Sequence, residues 1–303
     1  MYNNEQKSET IIKRFEEAGY RAAFLPYAAI RRINRAYGEI TEKNGVQYIL
    51  NAAEHFKNNQ PPDIPFAPAS FLITAQPGDR AEFILNTDGG RRAIPVPPPF
   101  ITPAEKKRFD NVVDSATSEI QTAHTRGISQ KLLVALSGLG KYGRNNICYI
   151  NGLGSYFNVR AFYTDVLYKG DIHPLTFLDE CESCGICEKN CVTGALSDSA
   201  IDAAKCISLY NENDGEIPDW IPITAHATMI SCSRCQEGCP ANGPLSLKKH
   251  TLELDEDETR TLLACPASEL PIELKNKLSE FGADERFISV AGRNARLALK
   301  NLQ

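Results

Sequence analysis

The chain has 303 residues, with 33 basic against 38 acidic and a formal net charge of −5. Hydrophobic residues make up 42% and charged residues 23%, a globular balance that excludes disorder as the main state. Ten cysteines are too few for a disulfide scaffold, and the acidic balance offers no whole-protein footprint for nucleic acid, although a local basic patch is compatible with it. The length fits two domains, and a chain of this size buries a core without covalent staples. The polar start Met1–Gln6 has no apolar h-region, and no apolar run approaches the roughly 18 residues of a membrane span. The expectation is a cytoplasmic protein with reduced thiols and no membrane partner.

In chain order, residues 8–19 form a predicted helix with Ile11, Ile12, Phe15 and Ala18 on one face, stopped by Gly19. Ala22–Leu25 reads as a short strand ending at Pro26. Residues 43–57 read as a second helix, followed by a loop with Pro61, Pro62, Pro65 and Pro68. Ser70–Ala75, Ala81–Asn86 and Arg91–Val96 read as strands separated by good turns, which predicts an antiparallel meander. Residues 103–123 give the strongest helical pattern, with Pro103 in the first turn. A shorter helix is expected at Ser129–Leu136, extended chain at 147–168, and two or three helices in the tail from 250. The run Asp255–Glu258 suits a helix N-terminus.

Eight of the ten cysteines lie between Cys181 and Cys239. The first run reads Cys181-x2-Cys184-x2-Cys187-x3-Cys191, the spacing of ferredoxin iron–sulfur clusters. Two-residue gaps let one tight loop turn three thiolates towards a cubane, while the fourth points away towards a second one. The second run, Cys232-x2-Cys235-x3-Cys239-Pro240, lacks its first cysteine, and Cys206 fills that role from upstream. Following the two-cluster exchange rule, Cys181, Cys184, Cys187 and Cys239 are assigned to one 4Fe–4S cluster and Cys191, Cys206, Cys232 and Cys235 to the other. Two four-cysteine zinc sites are the alternative, but the extra cysteines at x2 and x3 are expected for cubanes and not for zinc. Val192 stands where ferredoxins usually carry proline.

Gly138-Leu139-Gly140-Lys141-Tyr142-Gly143 matches G-x-G-x-x-G by letter. A dinucleotide site needs a strand before this motif and a helix after it. Here a helical segment precedes it and a poor helix former follows, so the glycines are read as a tight backbone turn. Cys265 has no partner at ligand spacing and reads as structural.

The decad Ser137–Asn146, then Gly154-Ser155, Tyr163-Thr164-Asp165, Cys191-Val192-Thr193-Gly194-Ala195-Leu196 and Cys206-Ile207-Ser208, resembles the epoxyqueuosine reductase and reductive dehalogenase superfamily over roughly 120–245. The resemblance implies an α+β fold: a nitroreductase-like corrinoid-binding domain over 1–174, a ferredoxin-like two-cluster domain over 175–247 and a short helical tail over 248–303. It implies an oxidoreductase in which two 4Fe–4S clusters pass electrons to cobalamin, with a ferredoxin or flavodoxin as donor and a small-molecule substrate. Gly138, Leu139, Gly140, Tyr142, Arg144, Asn145, Asn146 and Cys148 become the candidate corrinoid contacts, with Tyr142 also a candidate catalytic group. The family's proposed proton donor is an Asp in an Asp-Ser-x-Pro context; counting back from Gly138, that position is His124, which can donate a proton near neutral pH. The helical-repeat extension of many epoxyqueuosine reductases is absent, and with the acidic balance this argues against a tRNA partner. The export signal and longer N-terminal part usual in reductive dehalogenases are absent as well. The expectation is therefore a divergent cytosolic member with its own substrate.

Overall fold

The computed structural model describes residues 4–35, 63–125, 127–197 and 200–302. The helix expected at 43–57 lies outside the described residues. The elements relevant here are helix α1 (Asn4–Glu17), strand β1 (Arg21–Pro26), β2 (Ser70–Pro77), β3 (Asp79–Thr87), β4 (Gly90–Phe100), α2 (Pro103–Ala116), β5 (Thr122–His124) and α3 (Gln130–Leu136). They continue with β6 (Lys141–Tyr142), β7 (Cys148–Tyr149), β8 (Phe157–Thr164), α4 (Ile186–Asn190), β9 (Leu196–Ser197), β10 (Ala200–Ile201) and α5 (Ile207–Asn211). The tail supplies β11 (Lys249–Leu254), α6 (Glu256–Ala264), α7 (Ile272–Phe281) and α8 (Glu285–Asn301). The result is a mixed α/β fold built on open sheets and flanking helices.

The first sheet is antiparallel, in the order β1-β2-β8-β5. Its central strand β2 is buried from Ser70 to Gln76 because both faces are covered. Phe71, Ile73 and Ala75 pack with Leu25, Ala161, Tyr163 and the α3 residues Leu132, Leu133 and Leu136. Leu72 faces the other way, into a core of Phe15, Phe24, Phe109 and Phe162 supplied largely by α1 and α2. Each of the buried Leu, Ile and Phe side chains contributes roughly 1.5–3 kcal/mol by leaving water. The sheet therefore separates an α3 side from an α1/α2 side.

The second sheet has the order β11-β3-β4, with β11 parallel to β3. One face is covered by the tail helices, so Phe83, Leu85 and Ile94 meet Leu262, Leu278, Phe287 and Ala291. Two expectations are corrected here. The meander is not formed, because β2 pairs with β1 and β8 while β3 starts a separate sheet. Gly78 makes that break: a Cβ there would lie 2.3 Å from Pro99 Cβ, and its N–H donates to the Tyr156 carbonyl at 2.9 Å. The long helix ends at Ala116, not 123. Thr117 bonds its hydroxyl back to the Val113 carbonyl at 2.8 Å, and residues 122–124 join the sheet beside β8.

Other elements follow their sequence signals. Thr102 and Glu105 form a capping box at the start of α2, Ser129 caps α3, and Asp255 with Glu258 caps α6. No described helix is long and apolar enough to cross a membrane.

Candidate functional site

The cysteine region is built of very short elements joined by glycines. Gly185 (φ +80°) opens α4, and Gly194 (φ +63°) and Gly238 (φ +69°) take the left-handed conformation a close-packed loop requires. All eight cysteines of the cluster are free thiols and half-buried. Cys191, Cys206, Cys232 and Cys235 line one small cavity, closed on other sides by Ala195, Leu196, Ile201 and Ile207. Burial first, then the neighbouring Cys232, Cys206, Cys187 and Cys191, pushes the Cys235 thiol up to about 12. Burial with Cys206 nearby takes Cys232 to about 11, although the Arg234 backbone N–H and guanidinium oppose the rise. Cys187 is also raised, by burial first, with Glu188 and Cys181 adding to it. Such mutual destabilisation of thiolates is what a bound cation or cluster relieves. Backbone and hydroxyl groups also reach the sulfurs: the Arg144 N–H donates to Cys181 Sγ at 3.5 Å, and Thr193 Oγ1 lies 3.7 Å from Cys191 Sγ.

The glycine turn packs against this region. It is preceded by helix α3 and followed by the β6–β7 hairpin, an order incompatible with a dinucleotide crossover. A Cβ on Gly140 would lie 2.5 Å from the Tyr149 carbonyl oxygen, and one on Gly143 2.7 Å from Asn145 Oδ1. Gly138 faces the His173 ring. Asn145 is buried; its amide donates to the Tyr149 hydroxyl at 2.8 Å and the Cys235 carbonyl at 2.9 Å, and its Oδ1 accepts from the Ile147 N–H at 3.2 Å. Leu139 packs on the α3-side core, and Tyr142 pairs with Cys148 across the hairpin. Arg144 and Asn146 are half-buried, Asn146 with φ +59°.

Among the described residues, the largest cavity, about 560 Å³, lies on the α3 side. Its walls include Pro97–Pro99, Lys131, Cys148, Ser155, Cys232 and Gln236. Cys232 thus borders both this space and the cysteine-lined one. Of the eight expected corrinoid residues, the structure brings only Cys148 to the large cavity. Burial pushes its thiol up to about 12 against the opposing pull of Lys131 and a Tyr142 hydrogen bond.

Sequence reasoning missed Gln130, Lys131 and Asn158, which also line the cavity. The signal for Lys131 was the Ser129 cap, which sets the first turn of α3 beside the hairpin. Lys131 Nζ donates to the Asn146 carbonyl at 2.9 Å, and burial lowers its pKa against the pull of Cys148, Cys206 and Cys235. Ser155, flagged only as part of Gly154-Ser155, donates to Gln236 Oε1 at 2.7 Å and anchors the cavity floor to the cysteine region.

His124 is elsewhere. Its ring lies 4.6 Å from that of Phe162, and it lines a different cavity of about 330 Å³ with Asp110, Asp114 and Arg160. Phe162 belongs to the α1/α2 core while Ala161 and Tyr163 belong to the α3 core, so the sheet stands between His124 and the large cavity.

Residues 180–242 match the family described as a 4Fe–4S double cluster binding domain, so this stretch is similar to iron–sulfur domains. More particularly, the chain is similar in sequence and in fold to epoxyqueuosine reductases. It is 27% identical over 181 residues to the epoxyqueuosine reductase of Bacillus anthracis, an alignment taking in 59% of this chain and 47% of that one. The match thus spans about half the length of that relative. A solved selenomethionine-labelled epoxyqueuosine reductase superposes with a TM-score of 0.69 at 20% identity, over 99% of this chain and 82% of the other. Another, crystallised with an epoxyqueuosine-modified tRNA stem loop, gives 0.66 at 20% identity over the same shares. At that identity the likeness concerns the fold. It overturns the expectation that chain length argues against tRNA: nearly all of this chain, 99%, aligns with 82% of a protein captured with a stem loop.

Proposed function

We propose that the protein is an iron–sulfur reductase of the epoxyqueuosine-reductase kind. The observation that carries this is the position of Cys232 on the shared wall of the four-cysteine cavity and the large cavity. In this reading Cys191, Cys206, Cys232 and Cys235 hold one 4Fe–4S cluster, and Cys181, Cys184, Cys187 and Cys239 hold the other.

The spacing of the cysteines along the chain supports clusters over zinc: a third cysteine at x2 and a fourth at x3 are expected for cubanes and not for zinc.

The large cavity has the size of a cofactor site, an apolar lining from Phe157, Val159 and Phe287, and a polar fringe. That chemistry fits a corrin ring edged with carboxamides, and Gln130, Lys131 and Asn158 would hold its periphery. When bound, the clusters relay single electrons and a corrinoid supplies low-valent cobalt able to reduce a carbon–oxygen bond. The chain's own part is to seat these groups, to keep Lys131 as a shielded amine at the cavity wall, and to admit the substrate past Pro97–Pro99. An epoxide-bearing nucleoside in an RNA stem loop is the substrate class this reading takes.

A two-cluster electron carrier without corrinoid is the second reading. The observation on its side is that Gly138–Asn146 packs against protein and does not border the cavity.

The test is anaerobic purification with metal and sulfide analysis, then cobalamin loading and incubation with an epoxyqueuosine-bearing stem loop and a low-potential chemical reductant such as dithionite. About eight iron and eight sulfide per chain, with loss of the epoxide, are expected. Zinc without iron would end both readings. Full iron with no corrinoid retained would leave the carrier.

A further inference from the structure

Outside the cysteine region, one group of side chains has the composition and spacing of a metal site. Asp79, Glu105 and His250 present ligand atoms that all lie within 4.8 Å of one another, and all three residues are half-buried. They come from three separate segments: the start of β3, the first turn of α2 and strand β11. We propose that Asp79, Glu105 and His250 bind a divalent transition-metal ion at the seam where the tail returns to the N-terminal half.

The geometry supports this in three ways. His250 Nε2 and Asp79 Oδ2 are 3.1 Å apart. Two ligands at right angles and about 2.1 Å from one ion stand about 3.0 Å apart, so the pair already has the edge length of a coordination shell. Each carboxylate is also oriented from behind: Asp79 Oδ1 accepts the Lys248 N–H at 2.9 Å, and Glu105 Oε2 accepts the Thr102 N–H at 2.9 Å and hydroxyl at 2.8 Å. Hydrogen bonds of this type fix metal ligands before the ion arrives. Finally, the nearest lysine of β11 does not compete, because Lys249 is paired with Glu82 at 2.8 Å. One imidazole and two carboxylates suit manganese, iron or zinc, with the remaining positions left to water. The ion would brace the cavity as well, since the His250 ring lies 5.6 Å from that of Phe100, which lines it.

The probe is Mn(II), a hard ion that thiolates do not attract, titrated into cluster-loaded full-length protein and followed by EPR of the free ion. One Mn(II) per chain and a metal-dependent rise in melting temperature are expected. Asp79→Asn and His250→Gln should each weaken binding at least tenfold. Glu105→Gln keeps the capping box, so it should leave the metal-free melting temperature unchanged while weakening binding by the same order. No binding at millimolar Mn(II), or less than twofold weakening in all three variants, overturns the site.

Discussion

Replacing Asn145 by alanine tests how the glycine turn is tied to the cysteine region. The side chain is 2% exposed and makes three hydrogen bonds, to the Tyr149 hydroxyl, the Cys235 carbonyl and the Ile147 N–H. Alanine deletes all three. A buried hydrogen bond contributes about 1 kcal/mol net, and a partner left unpaired costs about 1–3 kcal/mol. The Tyr149 hydroxyl can rotate towards a new acceptor, but the carbonyl and the amide are fixed backbone. The expected loss is therefore about 3 kcal/mol, which is more than a hundredfold in the unfolding equilibrium. Urea unfolding of anaerobic protein, followed by circular dichroism, measures it. Asn145→Asp provides the contrast: it keeps the acceptor for Ile147 but turns a carboxylate oxygen towards the Cys235 carbonyl, and should cost at least as much despite its matching size. A loss below about 1 kcal/mol for alanine would refute the network as the link between the two segments.

Three further outcomes follow from the same structure. Cys206→Ser should lower anaerobic iron from about eight to about four per chain, and retention of all the iron would remove Cys206 from the ligand set. Gly140→Ala places a Cβ 2.5 Å from the Tyr149 carbonyl oxygen, so thermal unfolding should show a loss of about 1–3 kcal/mol from overpacking. His226 is buried, and burial followed by the Arg293 charge holds its pKa below 6.5. The unfolded chain therefore takes up this proton first as pH falls through about 6.5, so stability should decline below that pH and His226→Asn should flatten the decline. An unchanged slope in that variant would exclude His226 as the source.

Local rules reached the elements whose cause is local. The caps at Thr102, Ser129 and Asp255 could be read because the capping side chain and its helix are neighbours in sequence. Sheet membership could not. Strands β2 and β3 are separated only by Gly78, and what parts them is Pro99 across the chain. Strand β11 was missed because its alternation, with exposed Lys249, Thr251 and Glu253, is that of any polar segment; it becomes a strand by pairing with β3. The end of α2 was misplaced for a similar reason. Val112, Val113, Ala116 and Ile120 keep helical spacing, yet β8 offers residues 122–124 a sheet edge that periodicity does not register.

The candidate site divides along the same line. Cysteine spacing is a local property with chemical content, and it pointed to a grouping in which Cys206 stands with Cys191, Cys232 and Cys235; the fold lines one cavity with those four. The cavity beside them was not legible, because its walls come from Pro97–Pro99, the first turn of α3, strand β8 and the start of α8. The glycine turn drew attention to itself by its letters, but its glycines serve close packing against Tyr149, Asn145 and His173. His124 shows why counting along a motif does not locate a side chain. On β5 it pairs with Phe162, whose side chain points to the α1/α2 face, whereas the thiols lie beyond the α3 face. A proton for chemistry in the large cavity would have to cross the sheet from His124. Lys131 already stands at the cavity wall, half-buried and held by the Asn146 carbonyl, so a proton-bearing group that motif counting passed over lines that space.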